Sequence, residues 1–565
     1  MARIEIRDGY AHYPCGCKFK VLKNAEDGNP IRLDFNPDME YLPLNCARTW
    51  ELIGDGNTKG VFQLESRFGQ QYSKKLKPQN IEQLAALTAI MRPGCIQALR
   101  DGKNVAEHYI DRKNGEEEVS YVHPSLEPIL SSTFGEMIYQ EQAMQIARDI
   151  AGFDLQQADI LRKAIGKKKA DIMAEVKIDF IKGCRKTGVV SEQVAEDLFG
   201  WIEKSQRYSF NKSHAVSYAF NAYMSAYAKA HFKHAFFTSY LYFAKDKQKT
   251  YDEVKLLVAN ARIMNIDICT PDFRITNKHF KHIGTQIYFG FSDIKGVGEA
   301  ATKKIESAIY QVEMSIDKNR KDWCWLDFLI FFSQQINSTA IVGMIEAGAC
   351  DYFNMDRQRM VFEYERYSEL TNKEQAWIKQ FIVYDASTTY LDILVKLLSW
   401  YDSPNTFDEK IPKPCANKNR VIKLNSMVQL LKKPPYSLVD SVDWIARVEE
   451  AKLGISITAS ALDACKDSSQ ANCTCKDFLH RRERNDGIFI AAQIENVKTH
   501  ICRNGEEMAF ITIGDSEATL DAVVFPSSWP QILQSGICVP ENTVMVSGDR
   551  TAKGTFAIKK MWQLT

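Results

Sequence analysis

The densest cluster of chemistry-bearing residues is Leu161-Arg-Lys-Ala-Ile-Gly-Lys-Lys-Lys169, with five cations in eight residues. Arg162 offers a planar donor fork to phosphate oxygens, while Lys163, Lys167, Lys168 and Lys169 offer mobile point charges. A solvated basic helix end, where lysines meet the C-terminal dipole, would read the same way. A second cluster is Arg207-Tyr-Ser-Phe-Asn-Lys-Ser-His-Ala-Val-Ser-Tyr218. Its Asn211, Lys212, Ser213 and His214 could together hold a triphosphate or a template backbone, and Ser213 could equally cap a helix starting at His214. In Met91-Arg-Pro-Gly94 a rigid turn projects Arg92, which suits phosphate contact and equally an ordinary surface salt bridge. In Ile294-Lys-Gly-Val-Gly298 a glycine-rich turn precedes a helix, so Lys295, Gly296 and Gly298 could present backbone N–H groups to an anion. Such hairpins grip the DNA backbone without reading sequence. Gly60-Val-Phe-Gln-Leu-Glu-Ser66 reads as an amphipathic helix start, with Glu65 at the favourable dipole end.

Metal-site patterns are sparse. Cys15-x-Cys17 and Cys465…Cys473-x-Cys475 are the tight cysteine groups, and neither contains the C-x2-C pairs of common zinc modules. The expectation is therefore no zinc, with Cys465, Cys473, Cys475 and His480 as the set to test. No P-loop, Rossmann fingerprint, HExxH or nucleophile elbow occurs.

The elements that must position these groups change in texture along the chain. With 565 residues, about three to five domains are expected. Residues 1–58 read as short extended pieces and turns. Residues 59–285 read as a mainly helical domain. Within it, Thr133-Phe-Gly-Glu136 reads as a capping box opening a helix, with Ile138, Ile146, Ile150, Ala143 and Ala147 near one face. Residues 286–355 contain the glycine-rich hairpin and its helices, and 356–485 a mixed helical connector with prolines at 412, 414, 434 and 435. In residues 486–565, five alternating runs separated by turn-formers predict a small closed barrel of the OB type. The fold class is α+β multidomain.

Composition excludes several classes. Apolar residues make up 45% and charged residues 25%, the balance of a soluble globular chain. The formal net charge of +1 gives no global nucleic-acid signature, so any DNA surface must come from local segregation of charge. The start MARIEIRDGY has no signal-peptide pattern and the apolar run FTSYLYF is too short to span a bilayer. A cytoplasmic location, in a bacterial cell or phage-infected host, with reduced cysteines and no membrane partner is the expectation.

Taken in order, GVFQLES, LTAIMRPG, YIDRKNG, YQEQAMQIA, ILRKAIGKKK, FNKSHAVSYA and DIKGVGEA resemble the C-family replicative DNA polymerases of bacteria, the polymerase III alpha type. The resemblance runs from about residue 30 to the C-terminus and includes Glu449-Glu-Ala-Lys-Leu-Gly454. It implies a helical fingers domain, a helix-hairpin-helix module and an OB-fold. It implies that Arg162 and Lys163 hold the incoming dNTP's triphosphate, although many relatives have arginine at the second position. It places Asn211, Lys212 and His214 beside the nucleotide, Lys295, Gly296 and Gly298 on the product duplex, and Phe510, Phe525 and Lys559 near single-stranded template.

The family's catalytic carboxylates sit in a palm before GVFQLES and hold two Mg²⁺ ions. Asp34, in Ile31-Arg-Leu-Asp-Phe35, falls on the linker after that palm, and no Asp-x-Asp pair flanked by β-like residues occurs upstream. The expectation is a split polymerase, from a phage or a rearranged locus. Here the Mg²⁺ sites and the PHP domain belong elsewhere, and a palm-bearing chain, primer-template DNA and dNTP are partners. A sliding clamp stays open as a further partner, Gln429-Leu-Leu431 being the nearest motif fragment. The alternative is a non-catalytic DNA-binding replication factor derived from a polymerase.

Overall fold

A computed structural model describes the chain apart from residues 1–4, 25–29, 34–35, 37–40, 93–94, 97–98, 101, 167–169, 207–208, 276–277, 386, 403–417, 461, 464, 481–485, 503, 516–517, 553 and 565. Asp34, Lys167, Lys168 and Lys169 therefore lie outside the described residues. The chain divides into two compact units, Met1–Phe236 and Phe237–Thr565.

The first unit opens with a four-stranded antiparallel sheet in chain order, Glu5–Arg7, Tyr10–His12, Lys18–Asn24 and Pro30–Leu33. Helices follow. The helix Lys212–His231 packs against Ile81–Ile90 and Ala47–Gly54. Its alanines at 215, 219, 222, 226 and 230 are buried, which allows close helix approach, and Tyr223 donates to the Pro43 carbonyl at 2.6 Å. A second core joins Gln140–Ala151, Leu155–Gly166, Ala170–Thr187 and Glu192–Gln206 through Ile146, Ile150, Leu161, Phe180, Leu198 and Phe199.

Two local sequence readings are corrected here. Thr133 and Glu136 do not open a helix. Phe134 and Gly135 both adopt positive φ (53° and 81°), so the chain turns, and the helix starts at Gln140 with the Gln142 side chain accepting from the N–H groups of Ile138 and Tyr139. Thr133 instead donates to the Glu136 carbonyl, and the buried Glu136 carboxylate pairs with Arg112. Gly60–Ser66 is likewise a turn rather than a helix start. Gln63 sits at φ 63°, and Ser66 caps the following helix Arg67–Leu76 by accepting from Gly69.

In the second unit, the apolar residues of the glycine-rich hairpin are buried: Ile294 and Val297 are 2% and 1% exposed. The last five strands, Ile488–Ile501, Glu507–Gly514, Thr519–Val524, Thr543–Arg550 and Phe556–Gln563, close in the order first, second, third, fifth, fourth. The third and fifth pair in parallel, and the helix Trp529–Gln534 lies between the third and fourth in sequence. This is the Greek-key barrel that the alternating runs predicted. The inward residues Ile490, Ile511, Ile513, Val544, Val546 and Phe556 form its core.

Candidate functional site

Arg162 and Lys163 lie near the end of the helix Leu155–Gly166. Leu161 and Ala164 on either side are buried, so packing fixes the helix while the two cations stay accessible, with side chains 39% and 59% exposed. Both engage one carboxylate that sequence reading passed over. Arg162 reaches Asp159 Oδ1 at 2.8 Å and Lys163 reaches Asp159 Oδ2 at 2.7 Å, at i,i+3 and i,i+4 spacing. Hydrogen bonds from Lys163, then Arg162, hold the Asp159 carboxyl below the usual carboxylate range.

The second cluster is built around a helix start. Asn211, not Ser213, is the N-cap of Lys212–His231, its Oδ1 accepting from the His214 N–H at 2.9 Å. The helix begins two residues before the position that a Ser213 cap would require. Glu141, another residue not foreseen, meets the same end. It accepts from Asn211 Nδ2 at 2.7 Å and from the Lys212 N–H at 2.9 Å. A carboxylate thus occupies the helix N-terminus where an anion is favoured. Lys212 Nζ lies 5.7 Å from the Tyr139 ring centre. His214 packs between Phe210 at 5.2 Å and Tyr218 at 4.1 Å.

The fold brings Arg92 to this cluster. Its guanidinium lies 4.6 Å from the Phe210 ring centre, a stacked cation beside His214 rather than an isolated surface ion. Among the described residues, no contact joins Arg162 or Lys163 to Asn211, Lys212 or His214, so the two clusters are separate patches of the first unit.

In the second unit, Lys295 and Gly296 are exposed on the hairpin. Gly296 has φ 93°, which a side chain would strain, and Gly298 is the N-cap of the helix Glu299–Ile316. The Lys295 N–H donates to the Lys452 carbonyl at 2.8 Å, so the hairpin is anchored through its backbone while the lysine side chain stays in solvent. Lys303 and Lys304 add exposed charge one turn into the same helix, where a groove of about 310 Å³ is lined by them with Ser307, Gln311 and Gln335. On the barrel, Phe510 and Phe525 are 51% and 44% exposed, as stacking would need. Lys559 is paired with Asp549 on the neighbouring strand.

Among the described residues, Cys465, Cys473 and Cys475 do not form a metal-ligating group, and the His480 side chain lies outside them. Cys465 Sγ lies against Thr543 and Cys473 Sγ against the Thr474 carbonyl. Among the described residues, the metal-ligating groups that do converge are Cys15, Cys17, Cys46 and His231. The expectation of no zinc rested on local spacing, whereas these four residues come from distant segments that no short-range spacing pattern links.

Residues 20–188 match the model of the bacterial DNA polymerase III alpha subunit finger domain, and residues 263–360 match a helix-hairpin-helix motif. Arg92, Arg162 and Lys163 fall in the first match and the 294–298 hairpin in the second. The chain is a relative of the C-family polymerase III alpha subunits. It is 29% identical over 513 residues to DNA polymerase III subunit alpha of Aquifex aeolicus, covering 90% of this chain and 38% of that protein. With the subunit of Thermus aquaticus it is 30% identical over 506 residues, covering 86% and 36%. With that of Pseudomonas aeruginosa it is 29% identical over 514 residues, covering 88% and 40%. The chain therefore spans well under half the length of these polymerase III alpha relatives. No helix among the described residues is long and apolar enough to cross a membrane.

Proposed function

We propose that this chain is the nucleotide- and duplex-holding part of a DNA-directed DNA polymerase, acting in DNA replication with a metal-bearing palm on another chain. One observation carries the reading. Arg162 and Lys163 stand side by side and accessible on a packed helix inside the segment that matches the finger domain. Their roles follow from their chemistry. Arg162 would take two phosphate oxygens with its fork, and Lys163 would neutralise a third. Triphosphate binding would draw both cations away from Asp159. Arg92, Lys212 and His214 would contact the nucleotide or template backbone. The hairpin at Lys295–Gly298 would follow the product duplex through backbone N–H groups and the Lys295 side chain.

Mg²⁺ ions held by a palm would supply charge stabilisation at the attacking and leaving oxygens. This chain's residues would position the phosphates they act on. The test is primer extension with dNTPs and Mg²⁺ by this chain mixed with candidate palm-bearing proteins of the same genome. Failure of every mixture removes the support for a split enzyme.

The shared Asp159 favours one alternative, a DNA-binding factor whose basic pair is already neutralised. The two readings part on Arg162→Ala. In an assembled polymerase it abolishes incorporation, and in a mere binder it leaves duplex affinity nearly unchanged.

A further inference from the structure

We infer that Cys15, Cys17, Cys46 and His231 form a structural zinc site in the first unit. Their four ligand atoms all lie within 4.8 Å of one another. Three separate elements deliver them. Cys15 and Cys17 flank Gly16 in the turn between the strands Tyr10–His12 and Lys18–Asn24. That turn is closed by the Tyr13 N–H donating to the Cys17 carbonyl at 2.8 Å and the Gly16 N–H to the Tyr13 carbonyl at 2.9 Å. Gly16 takes φ 85°, which lets both sulfurs point to one side of a tight knuckle. Cys46 is the N-cap of Ala47–Gly54 and makes no side-chain capping bond, although the helix dipole there favours a thiolate. His231 is the last residue of the helix Lys212–His231.

The spacing suits a tetrahedral ion. With Zn–S about 2.3 Å and Zn–N about 2.0–2.1 Å, a tetrahedron has S···N edges of about 3.6 Å. His231 Nε2 lies 3.3 Å from Cys46 Sγ and 4.0 Å from Cys15 Sγ, on either side of that value. A thiol–imidazole hydrogen bond explains one such contact, but not three sulfurs gathered about one ring nitrogen. Three sulfurs with one imidazole select zinc over the oxygen-seeking Mg²⁺ and Ca²⁺. Four protein ligands leave no open position, so the ion holds structure and does no chemistry.

The surroundings support the assignment. Cys17, Cys46 and His231 are 5%, 1% and 7% exposed, and Cys15 faces the edge. The His231 ring is oriented by packing, with Tyr13 edge-on at 5.1 Å, Phe19 at 5.3 Å and Tyr227 at 4.5 Å. Its Nδ1 has no hydrogen-bond partner among the described residues, so these rings do the work that a carboxylate or carbonyl does at many zinc-bound histidines.

The site pins the N-terminal hairpin to the C-terminal end of the helix whose other end carries Asn211, Lys212 and His214. Zinc would thereby fix the axis of that helix, whether or not the chain belongs to a polymerase.

The test is elemental analysis of the full chain, expressed with zinc and purified without chelator. The expected result is about one zinc per chain. Cys17→Ser and Cys46→Ser should each lower it at least tenfold, and Cys465→Ser should leave it unchanged. X-ray absorption on the wild-type protein answers the case in which these variants fail to fold: a first shell of three sulfurs and one nitrogen supports the site. Zinc well below one per chain, a shell of oxygen and nitrogen alone, or a Cys17–Cys46 disulfide in freshly purified protein would overturn it.

Discussion

Replacing Glu449 should loosen the glycine-rich hairpin at 294–298 from a distance. Glu449 is fully buried in the helix Val442–Leu453, and its carboxylate does two jobs. Oε1 pairs with Arg357 Nη2 at 2.9 Å, and Oε2 accepts from the N–H groups of Ile457 at 2.6 Å and Thr458 at 2.8 Å. Arg357 is itself 2% exposed, and its other partners are Asp351, at 2.8 and 2.6 Å, the Glu346 carbonyl at 3.1 Å and the Thr458 hydroxyl at 3.3 Å. Glu449→Ala therefore leaves a buried guanidinium with one carboxylate instead of two and takes the acceptor from two backbone N–H groups. Breaking a buried ion pair costs roughly 3–5 kcal/mol, and the remaining Asp351 fork points to the lower end of that range. Three residues on, Lys452 supplies the carbonyl that holds the Lys295 N–H.

If the helix end opens with the lost energy, amide exchange at Lys295, Ile457 and Thr458 should speed up roughly a hundredfold. Glu449→Gln keeps the shape and one acceptor oxygen, and should fall between wild type and alanine. The assay is native-state hydrogen exchange read by mass spectrometry. Exchange at Lys295 changed by less than about threefold in Glu449→Ala, with fast exchange confined to 457–458, would refute the link between this ion pair and the hairpin.

Three further outcomes follow from the first unit. Burial pulls the Glu117 carboxyl upward, but hydrogen bonds from Arg112, His108 and Lys103 outweigh it and bring it to about 2. Its folded-state value is depressed, so its contribution is complete above the unfolded value of about 4.3 and is lost as pH falls toward 2. Thermal melting against pH should show that slope in wild type and a flatter one in Glu117→Gln. Gly183→Ala should cost about 1–3 kcal/mol, because a Cβ there would sit 2.1 Å from the Ala151 carbonyl oxygen and push the two helices apart; a melting temperature equal to wild type would contradict it. Lys229→Met should lower stability by about 1–3 kcal/mol in denaturant titration, since the buried ammonium donates to the Asn57 and Lys59 carbonyls at 2.8 and 2.7 Å and holds the turn at Gly60.

What the sequence made legible was local. The 294–298 hairpin follows from glycines flanking apolar anchors, and the barrel from strict alternation, since only one face of each strand is buried. The Arg162–Lys163 pair is legible as charge, and its pairing with Asp159 is signalled only by the i,i+3 and i,i+4 spacing on a helix. Glu141 could not be found this way, because only the tertiary fold brings it to the start of Lys212–His231. Arg92 on Phe210 belongs to the same class. The Thr133 capping box failed for a local reason: Gly135 inside it favours a left-handed turn over a helical one. The grouping of Cys15, Cys17, Cys46 and His231 was not legible, because Cys46 and His231 join the two cysteines only through the fold, and zinc templates based on short spacings do not reach that far.

The measurement that bears most directly on the proposed role is primer extension by this chain together with a palm-bearing partner, comparing wild type with the Arg162→Ala Lys163→Ala double variant. The account predicts that the mixture extends primers with dNTPs and Mg²⁺, and that the double variant loses extension while still binding primer-template DNA. No extension by any mixture, or equal extension by the double variant, would contradict it.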